Sequence, residues 1–190
     1  LIAKLFLFIT TAAFQDRFAA IIPSTAYTYL VPVAAGPMLI GLVVTWGEVV
    51  WLYTAFLSMA LSLMVEGSYV FLFVSLAGGI AAARGVYNCK KRNDIYFAGV
   101  RTGLVNAFLI TLITLVTADK QDGMMHLLAW SVPAGFISGV MSALIAMMFV
   151  PLLETIFNYT TDVKLLELSN LNHPLLKEMI VKAPGTYHHS

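Results

Sequence analysis

Residues 125–150 read MHLLAWSVPAGFISGVMSALIAMMFV, and this stretch decides the fold. It contains no Asp, Glu, Lys or Arg, and His126 is its one ionisable side chain. A helix that crosses the hydrocarbon core of a bilayer, about 30 Å thick, needs about 20 apolar residues. The stretch is therefore long enough to cross a membrane as one helix.

Five further apolar runs precede it, at residues 1–14, 28–45, 48–65, 68–84 and 98–117. Of the 190 residues, 59% are hydrophobic and 11% are charged, and the mean hydropathy is +0.85. These values lie outside the range of soluble globular domains. We predict an all-α, polytopic helical membrane bundle, whose partner is the lipid bilayer. The formal net charge of +1 argues against a DNA or RNA polymer as a partner.

Both ends of the chain lead us to expect a fragment of a longer protein. The first run begins at Leu1 and is too short for a full crossing, and it lacks the basic flank and cleavage site of a signal peptide.

Orientation follows from the predicted loop at residues 85–97, which carries Lys90, Lys91 and Arg92. Short loops rich in Lys and Arg stay in the cytoplasm. We therefore predict that this loop and the chain from residue 151 onward are cytoplasmic.

The second run contains Pro32, Gly36 and Pro37. Proline in a membrane helix frees backbone carbonyls that neighbouring groups must satisfy. One interpretation is a kinked helix. The other is a broken helix that lines a cavity or ligand pocket, as in transporters.

Small and polar residues indicate how the helices pack. Gly99 and Gly103, and likewise Gly135 and Gly139, have the small-xxx-small spacing that permits close helix approach. We interpret both pairs as packing inside the bundle, with dimerisation as the alternative. Asn106, with Thr111 and Thr114, is expected to form interhelical hydrogen bonds.

The ionisable side chains near predicted helix ends are Glu48, Glu66, Arg101 and His126. The single cysteine, Cys89, excludes an internal disulfide.

The composition changes after residue 150. The last stretch, residues 165–190, reads LLELSNLNHPLLKEMIVKAPGTYHHS. Residues 174–183 have the pattern of a soluble amphipathic helix, and Leu166 and its neighbours are expected to pack against it. Thr186 is a candidate N-cap for a further helix that would carry His188 and His189.

This stretch closely resembles the start of the HD hydrolase domain in the bacterial seven-transmembrane HD family. The members of that family are membrane-bound phosphodiesterases that cleave cyclic di-AMP. The resemblance implies seven membrane helices, an extracytoplasmic sensor domain and a cytoplasmic HD domain. It divides the chain into a truncated bundle at residues 1–150, and a connector with the truncated start of the HD domain at residues 151–190. The expected location is the plasma membrane of a bacterial cell.

The resemblance also implies a chemistry. The full-length protein would hydrolyse cyclic di-AMP to linear pApA, with two divalent metal ions, Mn or Fe, held by His and Asp ligands that mostly lie beyond Ser190. It assigns the first metal ligand to His189, and less favourably to His188. No catalytic residue is expected within residues 1–190, and a homo-oligomer is left open. The alternative functions are a transporter-like or channel-like bundle, and a ligand-sensing bundle with a degenerate HD domain.

Overall fold

The structure is a computed structural model, and it describes residues 22–44, 46–65, 67–87, 89, 92–117 and 123–157. The helices in these ranges are α1 Ser24–Tyr29, α2 Ala35–Val43, α3 Gly47–Met64, α4 Tyr69–Val86, α5 Arg92–Thr117 and α6 Met124–Phe157. Among the described residues there is no strand, so the predicted all-α bundle is confirmed. The 1–14 run, the 174–183 helix, Leu166, His188 and His189 lie outside the described residues.

Four helices are long and apolar enough to cross a membrane, namely α3, α4, α5 and the part of α6 from Met124 to Leu153. They correspond to the last four predicted runs. The predicted 85–97 loop is too long, because α4 continues to Val86 and α5 begins at Arg92. Asp94 lies in the first turn of α5, where the helix dipole favours an acidic side chain. Helix formation therefore extends into the polar segment that sequence periodicity assigned to the loop.

Of the two interpretations of residues 28–45, the kinked helix is wrong. The chain here forms two short helices, α1, which begins before the predicted run, and α2, and they are separated by residues 30–34, which we call the break. With six and nine residues, each helix is far shorter than the length needed to cross a bilayer alone. The second interpretation, a broken helix, is the one that the structure has.

Helices that are neighbours in sequence are also neighbours in space from α3 to α6, and the most extensive interface is that of α5 with α6. The helices α1 and α2 pack on α6, and α2 also contacts α3 and α4. Because α5 and α6 each cross once, the end of α6 lies on the same face as the turn between α4 and α5. Arg84 and Arg92 are exposed beside that turn. We call this side of the bundle the basic face.

Small and polar side chains fill the interior of the bundle, whereas large apolar side chains cover its outer surface. On α3, Thr54, Ser58 and Ser62 are buried at every fourth position, while Leu52 and Phe56 are exposed. Lipid tails are as apolar as leucine, so helix contacts in a membrane depend on close packing of small residues rather than on hydrophobic burial. This distribution is the one expected of helices surrounded by lipid.

The two glycine pairs meet at the interface of α5 and α6. A Cβ placed on Gly139 would lie 2.5 Å from Cα of Gly103 and 2.9 Å from O of Gly99. A Cβ on Gly135 would likewise collide with Ile110 of α5. Their interpretation as packing within the bundle is confirmed, because each glycine faces the other helix of the same chain.

Candidate functional site

The break follows from the chemistry of two prolines. Pro32 has no N–H and disfavours the helical conformation of Val31, which precedes it. The chain therefore leaves the helix after Tyr29, and the N–H of Val33 donates to O of Val31 at 2.8 Å. Pro37 is the third residue of α2, where an N–H lacks an intrahelical acceptor anyway. The first proline ends one helix, and the second is accommodated at the start of the next.

A side chain of α6 holds the break in place. The hydroxyl of Ser138 donates to O of Val31 at 2.7 Å, across 107 residues of sequence. Both residues are buried, and the carbonyl of Val31, which also accepts from the N–H of Val33, thus has two donors for its two lone pairs. This hydrogen bond ties the unwound backbone directly to the last membrane helix.

Asn106 joins three helices. Its side chain is 6% exposed, and its Nδ2 donates to O of Gly135 on α6 at 3.5 Å. Its Oδ1 lies against Gly78 of α4, where any Cβ would collide with it. The expected interhelical hydrogen bond of Asn106 is confirmed. Thr111 behaves differently from the expectation, since its hydroxyl donates to O of Ala107 within its own helix.

A small cavity lies between Asn106 and the break. Its volume is about 20 Å3, and its lining includes Asn106, Ser75 and Ser138 together with residues 31, 33 and 34 of the break. Oδ1 of Asn106 is buried and has no hydrogen-bond partner. A cavity needs roughly 10–15 Å3 to hold one water molecule, provided that polar partners are present. The size and the lining of this cavity therefore suit a single bound water.

On the other side of the break lies a much larger space, which we call the apolar groove. Its volume is about 610 Å3, within the range of roughly 300–1,000 Å3 typical of small-molecule sites. The break contributes residues 30–33, and the Tyr53 hydroxyl on α3 lies beside Gly36 of α2. The remaining lining includes Leu57 and Leu61 of α3, and Ile137, Met141 and Phe149 of α6. The sequence signal for this site was the spacing of proline and glycine at residues 32–37.

Charged groups lie away from both cavities. Glu48, Arg101 and His126 are exposed, and Glu66 is outside the described residues. Arg101 is ten residues into α5, deeper than the sequence placed it, because the helix begins earlier. Every buried polar side chain of the described part is a hydroxyl or an amide. The described bundle therefore offers no buried charge for ion or proton translocation.

Cys89 lies in the turn on the basic face and is 6% exposed. Burial, with a smaller contribution from the negative charge of Asp94, raises the pKa of its thiol to about 11, while Arg101 opposes the shift. Its Sγ lies 3.6 Å from O of Gly85. The thiolate is the reactive form of cysteine, so this thiol is poorly suited to metal binding or nucleophilic attack.

The described residues do not include a group of three or more His, Cys, Asp or Glu side chains that could hold a metal ion. The metal-dependent chemistry implied by the sequence thus has no ligand set in these helices. The ligand candidates His189 and His188 lie in the tail, outside the described residues. What these helices do provide is a broken helix between a polar cavity and an apolar groove.

Comparison with known proteins decides the family. Residues 1–161 match the family model described as a 7TM receptor with intracellular HD hydrolase. The chain belongs to this family. Two of its relatives are the cyclic-di-AMP phosphodiesterases PgpH of Listeria monocytogenes, 30% identical over 165 residues, and of Bacillus subtilis, 32% identical over 168 residues. Each alignment covers 85% of this chain. No solved structure matches the chain.

The relatives are much longer proteins. The aligned part is 22% of the Listeria protein and 23% of the Bacillus protein. A third relative, an uncharacterised protein of Synechocystis, is 30% identical over 134 residues, which is 63% of this chain and 15% of that protein. The chain corresponds to the membrane region of its family. Together with the four apolar helices, this makes it a multi-pass protein of the bacterial plasma membrane.

Proposed function

We propose that this chain is the membrane part of a cyclic di-AMP phosphodiesterase, which anchors an HD hydrolase domain and transmits signals to it. The observation that carries the proposal is the family match over residues 1–161, supported by the two relatives that are named cyclic-di-AMP phosphodiesterases. The products would be linear pApA molecules. We place the bundle at residues 1–150 and the connector with the start of the HD domain at residues 151–190.

The structure supports a role for α6 in signalling. This helix has 34 residues and stays helical through Pro133 and Pro151. At 1.5 Å per residue it is roughly 50 Å long, compared with about 30 Å for the hydrocarbon core. It is therefore longer than one crossing requires, and we infer that its end after Leu153, beyond the candidate membrane span, leads toward the proposed HD domain. A rigid helix transmits both displacement and rotation.

Insertions test this role in the full-length protein, reconstituted in vesicles and supplied with cyclic di-AMP and Mn2+. One alanine inserted after Thr155 rotates the following residues by about 100°, whereas seven alanines return them to within about 20° of their original direction. We expect the single insertion to change hydrolysis and the seven-residue insertion to restore it. Equal activity of all three proteins would leave only anchoring as the role of α6. Absence of cyclic di-AMP hydrolysis by the unmodified protein, with either Mn2+ or Fe2+, would contradict the enzymatic proposal itself.

We further propose that the HD domain uses two divalent metal ions, Mn or Fe, and that His189 is one of their ligands. The support is the resemblance of the YHHS segment to the start of HD domains. Adjacent residues on a helix point about 100° apart, so His188 and His189 are not expected to bind one ion equally. We expect His189→Ala to lower the metal content and the hydrolytic activity of the full-length protein, and His188→Ala to retain both. The reverse pattern would move the assignment to His188.

The orientation, with the basic face and residues 151–190 in the cytoplasm, is also a proposal. Cys89 is too deeply buried to report on it, so an introduced cysteine is needed. In a Cys89→Ala background, Tyr87→Cys places an exposed thiol on the basic face, and Met125→Cys places one near the start of α6 on the opposite face. An impermeant thiol reagent should label position 125 in intact cells, and position 87 only after lysis. The opposite pattern would invert the topology.

A ligand-sensing function is a second candidate, and it is compatible with the first. The apolar groove favours it, because the groove borders the break that Ser138 ties to α6. Transport of ions has less support, since the described helices bury no charged side chain. Measurements of ion flux in vesicles that contain the full-length protein would separate these two alternatives.

A further inference from the structure

The described wall of the apolar groove includes exposed side chains. Ile137 and Met141 of α6 both line it, and they are 46% and 41% exposed. The groove is therefore continuous with the surface through which these helices meet the bilayer. Its walls are almost entirely hydrocarbon, so water has few hydrogen-bond partners there and apolar material is favoured.

The groove is elongated along the helix axes. On α3 its lining runs from Tyr53 to Leu61, and on α6 from Ile137 to Phe149. At 1.5 Å per residue these stretches are roughly 12 Å and 18 Å long. Both stretches lie on helices that are long and apolar enough to cross the membrane, so the groove runs along the direction of crossing. An apolar space that is elongated in this direction is aligned with the acyl chains of the bilayer.

Two tryptophans mark the depth at which the groove begins. Trp46 and Trp51 are exposed at the start of α3, the end of that helix that lies on the basic face. Exposed tryptophans are enriched at the level of the lipid headgroups. Tyr53 comes two residues after Trp51, and the lining continues from there toward the middle of the bundle. The groove thus extends from just below the headgroups toward the centre of the bilayer.

We propose that the apolar groove binds one acyl chain of a phospholipid from the leaflet on the basic face. The chain packs between α3 and α6 and contacts residues 30–33 of the break, while its headgroup stays at the level of the two tryptophans. This inference rests on the membrane location and on the geometry of the groove. It does not depend on the phosphodiesterase activity.

Photocrosslinking tests the site in the full-length protein. The protein is reconstituted in vesicles of phosphatidylethanolamine and phosphatidylglycerol that contain a small fraction of phosphatidylglycerol with a diazirine midway along one acyl chain. We expect crosslinks at Leu57 and Met141 at a low fraction of probe, because the chain in the groove exchanges with the surrounding lipid. The exposed Leu52 serves as the positive control for labelling from the bilayer. Crosslinks at Leu52 without crosslinks at Leu57 and Met141 would overturn the proposal.

A variant that fills the groove gives a second readout. Leu57→Trp adds bulk inside the groove, whereas Leu52→Trp makes the same change on the outer surface of the same helix. We expect Leu57→Trp to reduce crosslinking at Met141 at least about tenfold, equivalent to roughly 1.4 kcal/mol of lost binding, and Leu52→Trp to leave it unchanged. An undiminished crosslink at Met141 in Leu57→Trp would contradict the site.

The competing occupants have a distinct signature. A photoreactive amino acid at position 57 of the full-length protein should capture phospholipid. Capture of another segment of the same protein would mean that protein covers the groove, and capture of a second copy would mean that the groove is a dimer interface. Either result overturns the proposal, and neither requires the variant with tryptophan to fold.

Discussion

Gly139→Ala is the most informative single change in the bundle, because the obstruction that it creates consists of backbone. The added Cβ would lie 2.5 Å from Cα of Gly103 and 2.9 Å from O of Gly99, whereas ordinary contacts begin near 3.4 Å. No rotamer change relieves these contacts. The helices α5 and α6 would have to separate by about 1 Å, which forfeits a quarter to a half of the dispersion energy of the affected atom pairs.

The expected cost is the difference between two effects. Overpacking a tight interface costs about 1–3 kcal/mol, and a backbone obstruction belongs at the upper end of this range. Alanine is favoured over glycine inside a helix by about 0.8–1.0 kcal/mol. We therefore expect Gly139→Ala to lower the free energy of unfolding by about 2 kcal/mol. Gly47→Ala is the matched control, since a Cβ at Gly47 meets nothing within 4 Å.

Equilibrium unfolding of the full-length protein in mixed detergent and SDS micelles measures this difference, with tryptophan fluorescence as the signal. Stability equal to or above that of the wild type would refute the close approach of α5 and α6. Loss of a dimer with unchanged unfolding of the monomer would instead favour a role of the glycines between subunits. Because Gly103 and Gly139 face each other, Gly103→Ala combined with Gly139→Ala should cost less than the sum of the two single changes.

Three further outcomes are expected. Ser138→Ala removes the hydrogen bond to Val31 and should lower the free energy of unfolding by about 0.6–1.7 kcal/mol. The Ser142 hydroxyl bonds within its own helix, so Ser142→Ala should lower it by less. Equal losses would contradict the special role of Ser138. Asn106→Leu should destabilise the bundle by about 1 kcal/mol in the same assay, because it removes the hydrogen bond from Nδ2 to O of Gly135. Wild-type stability would argue against this bond. Cys89 should react with a thiol reagent at pH 8 more slowly in the native protein than a free cysteine does. Its pKa of about 11 against the usual 9.0 lowers the thiolate fraction about 100-fold, the higher nucleophilicity of its thiolate offsets part of that factor, and its burial limits access. Comparable rates in native protein and in SDS would refute the burial.

Composition and run length predicted the membrane bundle well, because the requirement for about 20 apolar residues per crossing is a strong physical constraint. The spans α3, α4 and α6 begin within one residue of their predicted starts. The start of α5 was missed, since polar residues at a helix end carry no apolar periodicity. The small-xxx-small spacing likewise predicted close packing inside the bundle, because only residues without large side chains permit it; the structure shows that this packing joins α5 and α6.

The sites were less predictable than the spans. The proline and glycine pattern indicated the break, but the choice between a kink and a broken helix depends on a partner that is 107 residues away. The small cavity depends on Asn106, Ser75 and Ser138, which come from three different helices. Such a juxtaposition has no signature in a single sequence. The burial of Cys89 likewise depends on neighbours from other helices.

The prolines show why local sequence alone could not settle the matter. Pro32, Pro133 and Pro151 each directly follow a valine within an apolar run, yet only Pro32 interrupts its helix. Pro133 and Pro151 are exposed, so their rings have room on the outer surface of α6. At Pro32 the bundle instead stabilises the unwound form, because Ser138 supplies a second donor, beside the N–H of Val33, for the carbonyl of Val31. A hydrogen bond of 2.7 Å tolerates only a few tenths of an ångström of stretch before it weakens. A larger shift of α6 along its axis must therefore weaken the bond that holds the break, which couples the wall of the apolar groove to the helix that leaves the membrane.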